Sequence, residues 1–322
     1  MELLKEIKDR GYPAEYLLAR IHGRRLSLIK DWDSLLSGRD IYEYPGPPAH
    51  NKPVLMRTQD SAWRQYLKER EWIYHQMNNR LRNIFSPYFM YTELNTLLVC
   101  LRYKSSDGSV TDIERILQFS LMSDKLRGLL RAGPDVPAVL DKLGRTDAFM
   151  QNNSSGLEQV FLKDGFRGLE QGLADALFKY IISMDMHPVI RDFFAFIADA
   201  RNIITLQRCM KWDTTTPPFF IRGGNVKETV LTDILRSFNT GPLAALVYRQ
   251  TGLHIEGPDA ARVDNALQRR LTVKIKKWER ESPDTGLILN YLWRCAMEAK
   301  NLSIIYHGRE IDRNTLGEEI VH

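Results

Sequence analysis

The chain has 322 residues, of which 43% are hydrophobic and 26% are charged, as in an ordinary soluble globular protein. Its net charge of +5 is small, and its basic residues are interleaved with acidic ones. A nucleic-acid-binding protein usually concentrates its positive charge, so that class is disfavoured. The cysteines Cys100, Cys209 and Cys295 are far apart in sequence, and neither a disulfide framework nor a zinc site is expected.

The apolar stretches of the chain are short. The longest are Leu94–Leu101 and Phe193–Ala198, and a bilayer-spanning helix needs about 20 residues. Residues 1–11 are charged and lack the apolar run of a signal peptide. We therefore expect any work at a membrane to be done from the cytoplasmic side, by a peripherally bound protein.

Apolar residues recur at i, i+3 and i+4 spacing along almost the whole chain, without the alternation typical of strands. The sequence therefore predicts an all-α protein. Two helix starts are marked by an N-capping residue with glutamate three positions later, Thr111 with Glu114 and Asn225 with Glu228. The predicted helices are Ala14–Leu36, Asp60–Phe85, Tyr88–Tyr103, Thr111–Arg131, Val136–Leu143, Leu157–Met184, Pro188–Trp212, Asn225–Phe238, Gly241–Thr251, Ala260–Glu281 and Thr285–Tyr306.

One helical pattern occurs three times, each time around an asparagine followed by a branched apolar residue four positions on. The asparagines are Asn95, Asn202 and Asn301, at spacings of 107 and 99 residues. Solenoid repeats usually have periods of about 20–50 residues, so this spacing indicates domain-sized units. We expect three helical repeat units spanning residues 1–108, 109–216 and 217–322.

Asparagine is unfavourable inside a helix because its side chain competes for backbone hydrogen bonds. Beside an apolar stripe it must find partners or lower stability by about 1–3 kcal/mol. An acid precedes Asn202 and Asn301 by three positions, as Asp199 and Glu298. We expect the three asparagines to fix helix packing and to have no catalytic role.

The sequence lacks the motifs that would indicate an enzyme. It contains no GxxxxGK phosphate loop, no GxGxxG, no HExxH and no GxSxG. Its seven histidines are scattered, without metal-ligand spacing. We therefore expect no catalytic residue, no metal and no cofactor.

The densest basic segment is a predicted helix that carries Arg269, Arg270, Lys274, Lys276 and Lys277. A solvated helix face explains such a segment without any function. Alternatively, these five residues form a contact surface for an acidic partner or for lipid headgroups.

Several motifs of the chain occur together in one family. They are Tyr16-Leu-Leu-Ala-Arg-Ile21, Asp199-x-x-Asn202, Arg222-Gly-Gly-Asn225 and Glu298-x-x-Asn301 with Ile304, Ile305 and Gly308. With these motifs the chain resembles the C subunits of bacterial and archaeal V/A-type ATPases (ATP synthases), whose eukaryotic counterparts are the d subunits of V-ATPases. It differs from the family pattern at Thr92, where the family has an acid, and in the proline-rich segment Tyr44–Pro53.

The resemblance implies a funnel of three pseudo-threefold helical domains that is peripheral at the cytoplasmic face of the membrane. Such a protein is a non-catalytic part of the central stalk, and it couples the D and F proteins of the central shaft to the rotating proteolipid ring. Two other interpretations stay open at this point, an all-helical scaffold or adaptor unrelated to a rotary motor and a basic helical nucleic-acid-binding protein.

Overall fold

A computed structural model describes residues 2–37, 59–106, 109–150, 156–212, 218–254, 259–308 and 311–321; the segment Tyr44–Pro53 lies outside them. The all-α class is confirmed, since the described residues form helices and one isolated β-bridge, Leu4–Met122, with no strand. The helices are α1 Ala14–Arg24, α2 Trp32–Ser37, α3 Gln59–Gln76, α4 Asn79–Ser105, α5 Val110–Leu117, α6 Asp124–Ala132, α7 Val136–Leu143, α8 Asp147–Met150, α9 Leu157–Ser183, α10 Pro188–Trp212, α11 Glu228–Ser237, α12 Thr240–Thr251, α13 Ala260–Glu281, α14 Pro283–His307 and α15 Arg313–Glu319; Arg25–Ser27 is a short 3-10 helix.

The predicted bounds of α7, α10 and α13 agree with the structure. Two of these helices begin at a side-chain cap, because Asp135 accepts a hydrogen bond from the amide of Ala138 and Asp259 from that of Ala261. The sequence pattern does not predict α15, which Asp312 caps in the same way.

The predicted helix Ala14–Leu36 is wrong as one element. It divides into α1 and α2 at the 3-10 turn Arg25–Ser27, after which Leu28 is extended. The amide of Ile29 then donates a hydrogen bond to the carboxylate of Glu298, at 2.8 Å. A carboxylate 269 residues away in the chain therefore binds an amide that a continuous helix would use internally, and local spacing cannot reveal this contact.

The predicted helix Thr111–Arg131 is also wrong as one element, because it divides into α5 and α6. Between them, the amide of Leu121 donates to the buried carboxylate of Glu93 at 2.9 Å. Ser123 then caps α6 by accepting a hydrogen bond from the amide of Leu126. Here too a carboxylate distant in sequence accepts a hydrogen bond from an amide that would bond to a carbonyl of its own helix if the helix were continuous.

The predicted break between Phe85 and Tyr88 does not occur, since α4 continues through Pro87 and the chain instead breaks between α3 and α4. Proline has no amide hydrogen for the carbonyl four residues earlier, which is that of Asn83. The hydroxyl of Ser86 donates to that carbonyl at 3.0 Å and replaces the missing bond.

The predicted helix start at Thr111 with Glu114 is wrong by two residues. The N-cap is Ser109, whose hydroxyl accepts from the amide of Asp112 at 3.2 Å and donates to its carboxylate at 2.7 Å. α11 begins at Glu228 rather than at Asn225.

The chain divides into two compact units. The first contains Met1–Asp9 and Asn79–Asp233. Its long helix α4 packs on α5, α7, α9 and α10. Aromatic rings pack inside it, with centroids 5.8 Å apart for Tyr88 and Phe193 and 5.9 Å apart for Phe178 and Phe194. Such contacts between large rings give the unit a dense core.

The second unit contains Arg10–Asn78 and Ile234–His322. Its central helix α14 packs on α1, α3, α13 and α15. The indole of Trp293 donates to the hydroxyl of Thr272 at 2.9 Å and ties α14 to α13. Gly286 lies directly against the backbone of Trp278 and Glu279, where a larger residue has no room. This close approach sets the tight hairpin between α13 and α14.

Candidate functional site

Asn202 and Asn301 make the same pair of hydrogen bonds, each to a single backbone residue. The amide of Asn202 donates to the carbonyl of Ile221 at 2.8 Å and its oxygen accepts from the Ile221 N–H at 2.7 Å. Asn301 pairs in this way with Val321, at 2.8 and 3.1 Å. Both asparagines are buried, with 2% and 0% exposure. Each therefore fastens a non-helical segment, 19 or 20 residues further along the chain, to a long helix.

Asn95 does not share this arrangement. It is exposed on α4, and its side chain makes no hydrogen bond to the described part of the chain. The buried polar group of this helix is Glu93, which is 0% exposed and accepts from the Leu121 amide and from the Ser120 hydroxyl at 2.8 Å. The sequence pattern missed Glu93 because it lies one position after Thr92, where the resemblance places an acid.

Glu93 is one of three carboxylates that bind the backbone just before a helix. Asp199 accepts from the amides of Asn225 and Val226, at 3.0 and 2.9 Å. Glu298 accepts from the amide of Ile29. The bound amides of Leu121, Val226 and Ile29 lie two or three residues before α6, α11 and α2 respectively. We call Glu93, Asp199 and Glu298 the anchoring carboxylates.

The paired glycines of the Arg222-Gly-Gly-Asn225 motif belong to the same contact. Gly223 has a φ of +90°, which side-chain-bearing residues rarely adopt, and it packs against Ile182. A Cβ on Gly224 would collide with the carboxylate of Asp199. Both glycines are thus needed for the chain to pass close enough to be bound by Asp199.

The five basic residues predicted as a contact surface all lie on α13, but they have different surroundings. Arg269 donates to the carbonyls of Glu318 and Ile320, at 2.7 and 2.8 Å, and so holds the C-terminal end of α15 and the residue that follows it. Lys277 is exposed and pairs with Glu281 at 3.4 Å. Arg270 and Lys276 are exposed, whereas Lys274 is half-buried.

The cysteines are buried and in their free form. Burial, with a smaller contribution from Glu93, raises the pKa of Cys100 to about 12. Burial likewise raises the pKa of the Cys295 thiol well above its ordinary value. These two thiols are therefore protonated at neutral pH, and a protonated thiol is a poor nucleophile.

A small cleft in the second unit is lined by Glu69, Tyr291, Cys295 and Glu298. Its polar groups bind one another or the backbone: the hydroxyl of Tyr291 donates to Glu69 at 3.1 Å, and Glu298 accepts from Ile29. The cleft therefore serves packing. Within the described ranges, no group of three or more His, Cys, Asp or Glu side chains is arranged to hold a metal ion. The helices described here include none with the length and apolarity to cross a membrane.

Comparison with known proteins places the chain in a family. The family described as ATP synthase (C/AC39) subunit matches residues 57–318. No curated protein matches the chain significantly. The matched region includes Asn95, Asn202 and Asn301, all three anchoring carboxylates and the whole of α13. The resemblance to the C subunits of V/A-type ATPases is therefore confirmed, and the chain belongs to the ATP synthase (C/AC39) subunit family.

Proposed function

We propose that this chain is the non-catalytic central-stalk component of a V/A-type rotary ATPase. In this role it is a socket on the rotor that couples the D and F proteins of the shaft to the membrane proteolipid ring, for ATP-linked transport of protons or sodium ions. The family match over residues 57–318 carries the proposal. The chain would bind no substrate and no cofactor, and its partner proteins would hold it peripherally at the cytoplasmic face.

The internal contacts of each unit suit a part that transmits torque. A coupling must not shear under load, so the segments between its helices need fixed positions. The anchoring carboxylates and the two buried asparagines hold such segments to long helices through buried or partly buried hydrogen bonds. Because buried hydrogen bonds are shielded from competing water, contacts of this kind stiffen a helical unit.

The anchoring carboxylates also support three repeat units. Each follows the same plan, in which a long helix carries an acid that binds the amide just ahead of another helix. If repeats are counted from those amides, they begin near Ile29, Leu121 and Val226. We therefore propose a threefold repeat with boundaries about 10 residues beyond 109 and 217. The residues from Arg10 to Leu28 are assigned to the third repeat, because they lie in the same compact unit as Ile234–His322.

Reconstitution tests the proposed function. The tagged chain is mixed with purified D–F shaft and with proteolipid ring in detergent, and binding is measured for each. We expect binding to both, and no ATP hydrolysis by the chain alone. Deleting the chain from the assembled enzyme should uncouple ATP hydrolysis from ion movement and leave hydrolysis by the catalytic head intact. A correctly folded chain that binds neither shaft nor ring would contradict the proposal and favour an adaptor.

A further inference from the structure

One face of α13 carries a row of exposed side chains, Arg270, Val273, Lys276, Lys277 and Arg280, which we call the cationic stripe. At 100° per residue these positions fall within an arc of about 120° on the helix, and they extend along roughly 15 Å of its axis. The opposite face, which includes Leu271, Ile275 and Trp278, is buried in the second unit. The stripe is therefore a straight, outward-facing surface on a firmly packed helix.

Most of the charge on the stripe is not neutralised by the described residues of the unit. Arg270, Lys276 and Arg280 are exposed and pair with no carboxylate in the described part of the chain. Lys277 alone has such a partner, Glu281. Lys276 and Arg280 are four residues apart, where like charges destabilise a helix. The described part of the unit does not use these three charges, in contrast to Arg269, which donates to the carbonyls of Gly317 and Glu318 in the last turn of α15 and of Ile320 just after it.

We propose that the cationic stripe binds an acidic helix of another protein in the ATP synthase assembly; this inference rests on the proposed function. The charges recur along one line of a helix, so they match carboxylates spaced three or four residues apart on a second helix. Two of the three unpaired cations are arginines, whose planar guanidinium groups bind carboxylates through two parallel hydrogen bonds.

The stripe suits a protein partner better than a lipid surface. Helices that lie in a membrane interface present a broad apolar face rich in Trp, Phe and Leu. Within the stripe, Val273 is the single apolar side chain, at 55% exposure. A lone valine between cations fits the centre of a small helix–helix contact, where it would be covered while the charges pair around it.

Charge reversal tests the inference. The triple variant Arg270→Glu, Lys276→Glu, Arg280→Glu is compared with a matched control, Arg64→Glu, Arg236→Glu, Arg249→Glu, which reverses three exposed cations elsewhere in the second unit. Binding of each chain to an ATP synthase assembly depleted of this protein is measured at about 50 and 300 mM salt. Circular dichroism establishes that both variants fold.

We expect the stripe variant to bind roughly tenfold or more weakly at low salt, and the control within about threefold of the wild type. Wild-type binding should weaken as salt rises, and that of the stripe variant should change little. A photo-crosslinking residue in place of Val273 should attach to an acidic helical segment of another protein in the assembly.

Equal binding of wild type and stripe variant would overturn this inference and leave the proposed function standing. If the wild type itself does not bind the assembly, both fail. Vesicles of phosphatidylcholine with about 30% phosphatidylserine provide the lipid comparison. Vesicle binding that is lost in the stripe variant, together with unchanged binding to the assembly, would assign the stripe to lipid headgroups and overturn the inference.

Discussion

Asn202 occupies both hydrogen-bonding groups of Ile221, whose N–H and carbonyl are each bound by the same side chain. Replacing Asn202 with leucine would leave both backbone groups without this partner at a partly buried place. We expect a loss of about 1–3 kcal/mol in the free energy of unfolding, measured by urea titration. Asn95→Leu is the control, because Asn95 is exposed, and it should change stability by less than about 0.5 kcal/mol. Equal effects from the two variants would show that the pairing contributes nothing.

Gly286 provides a second test of packing. Its α-carbon faces the backbone of α13, which cannot move aside as a flexible side chain can. Gly286→Ala should therefore force the α13–α14 hairpin apart and destabilise the protein by roughly 1–3 kcal/mol. Gly128→Ala is the matched variant on α6, where a Cβ meets no atom within 4 Å. It should stabilise the helix by about 0.5–1 kcal/mol. The unfolding temperatures of both variants, compared with the wild type, show whether the steric clash or the higher helix propensity of alanine determines the stability change at Gly286.

The thiols give a prediction on reactivity. At pH 8 the folded protein should react slowly with a thiol reagent, because all three cysteines are buried. In about 6 M guanidinium chloride all three should react at once. Fast labelling of Cys100 in the folded state, identified by mass spectrometry, would contradict the burial of that thiol.

The same thiols make stability depend on pH. The pKa of Cys100 is higher in the folded state, about 12, than the 9.0 of an ordinary thiol. Its contribution is therefore fully present below pH 9 and declines as the pH rises from 9 towards 12, since only the unfolded chain ionises there. The decline is of order 1 kcal/mol per pH unit for one thiol. Urea titrations at pH 8 and 10 should show it, and Cys100→Ala should reduce the slope.

How far the sequence predicts the fold depends on the range of the contacts. The apolar period sets the all-α class and the bounds of α13, because those follow from neighbours three or four residues apart. The end of α1 depends instead on Glu298, which binds Ile29 across 269 residues. The apolar spacing also cannot separate Asn95 from Asn202, since both are followed by a branched apolar residue four positions on; the local difference is that an acid, Asp199, precedes Asn202 by three positions whereas Thr92 precedes Asn95.

The basic segment of α13 shows the same limit. Sequence groups Arg269 with Arg270 as neighbouring cations. In the structure, Arg269 turns to the backbone after α15, whereas Arg270 faces outward. A one-residue step on a helix is a rotation of about 100°, so adjacent cations can have unrelated roles. Which of them faces outward depends on where α15 packs, and that is a tertiary contact.

His187 gives a further prediction that depends on pH. Burial, and then the charge of Arg80, lower its pKa below the ordinary 6.5. Its ring nitrogen Nδ1 accepts from the amide of Val189 at 3.3 Å at the start of α10, which requires that nitrogen to be unprotonated. Stability from this group is therefore present above pH 6.5 and declines on acidification. An NMR titration should give a pKa below 6.5, and Arg80→Gln should raise it; an unchanged value would exclude the charge of Arg80 as a cause.

The anchoring carboxylates predict a pattern of amide hydrogen exchange that tests whether all three have the same role. Glu93 should protect the amide of Leu121 from hydrogen exchange, Asp199 those of Asn225 and Val226, and Glu298 that of Ile29, because these amides donate to a carboxylate and not to water. Asp199→Ala should speed exchange at Val226 by an order of magnitude or more and leave Leu121 almost unchanged. Glu93→Ala should have the converse effect. Each variant should also lose about 1–3 kcal/mol of stability, since a buried N–H loses its acceptor. Loss of protection at all these amides in every variant would mean global destabilisation. Selective loss, confined to the amides bound by the replaced carboxylate, is the result expected if the three contacts are separate copies of one structural device.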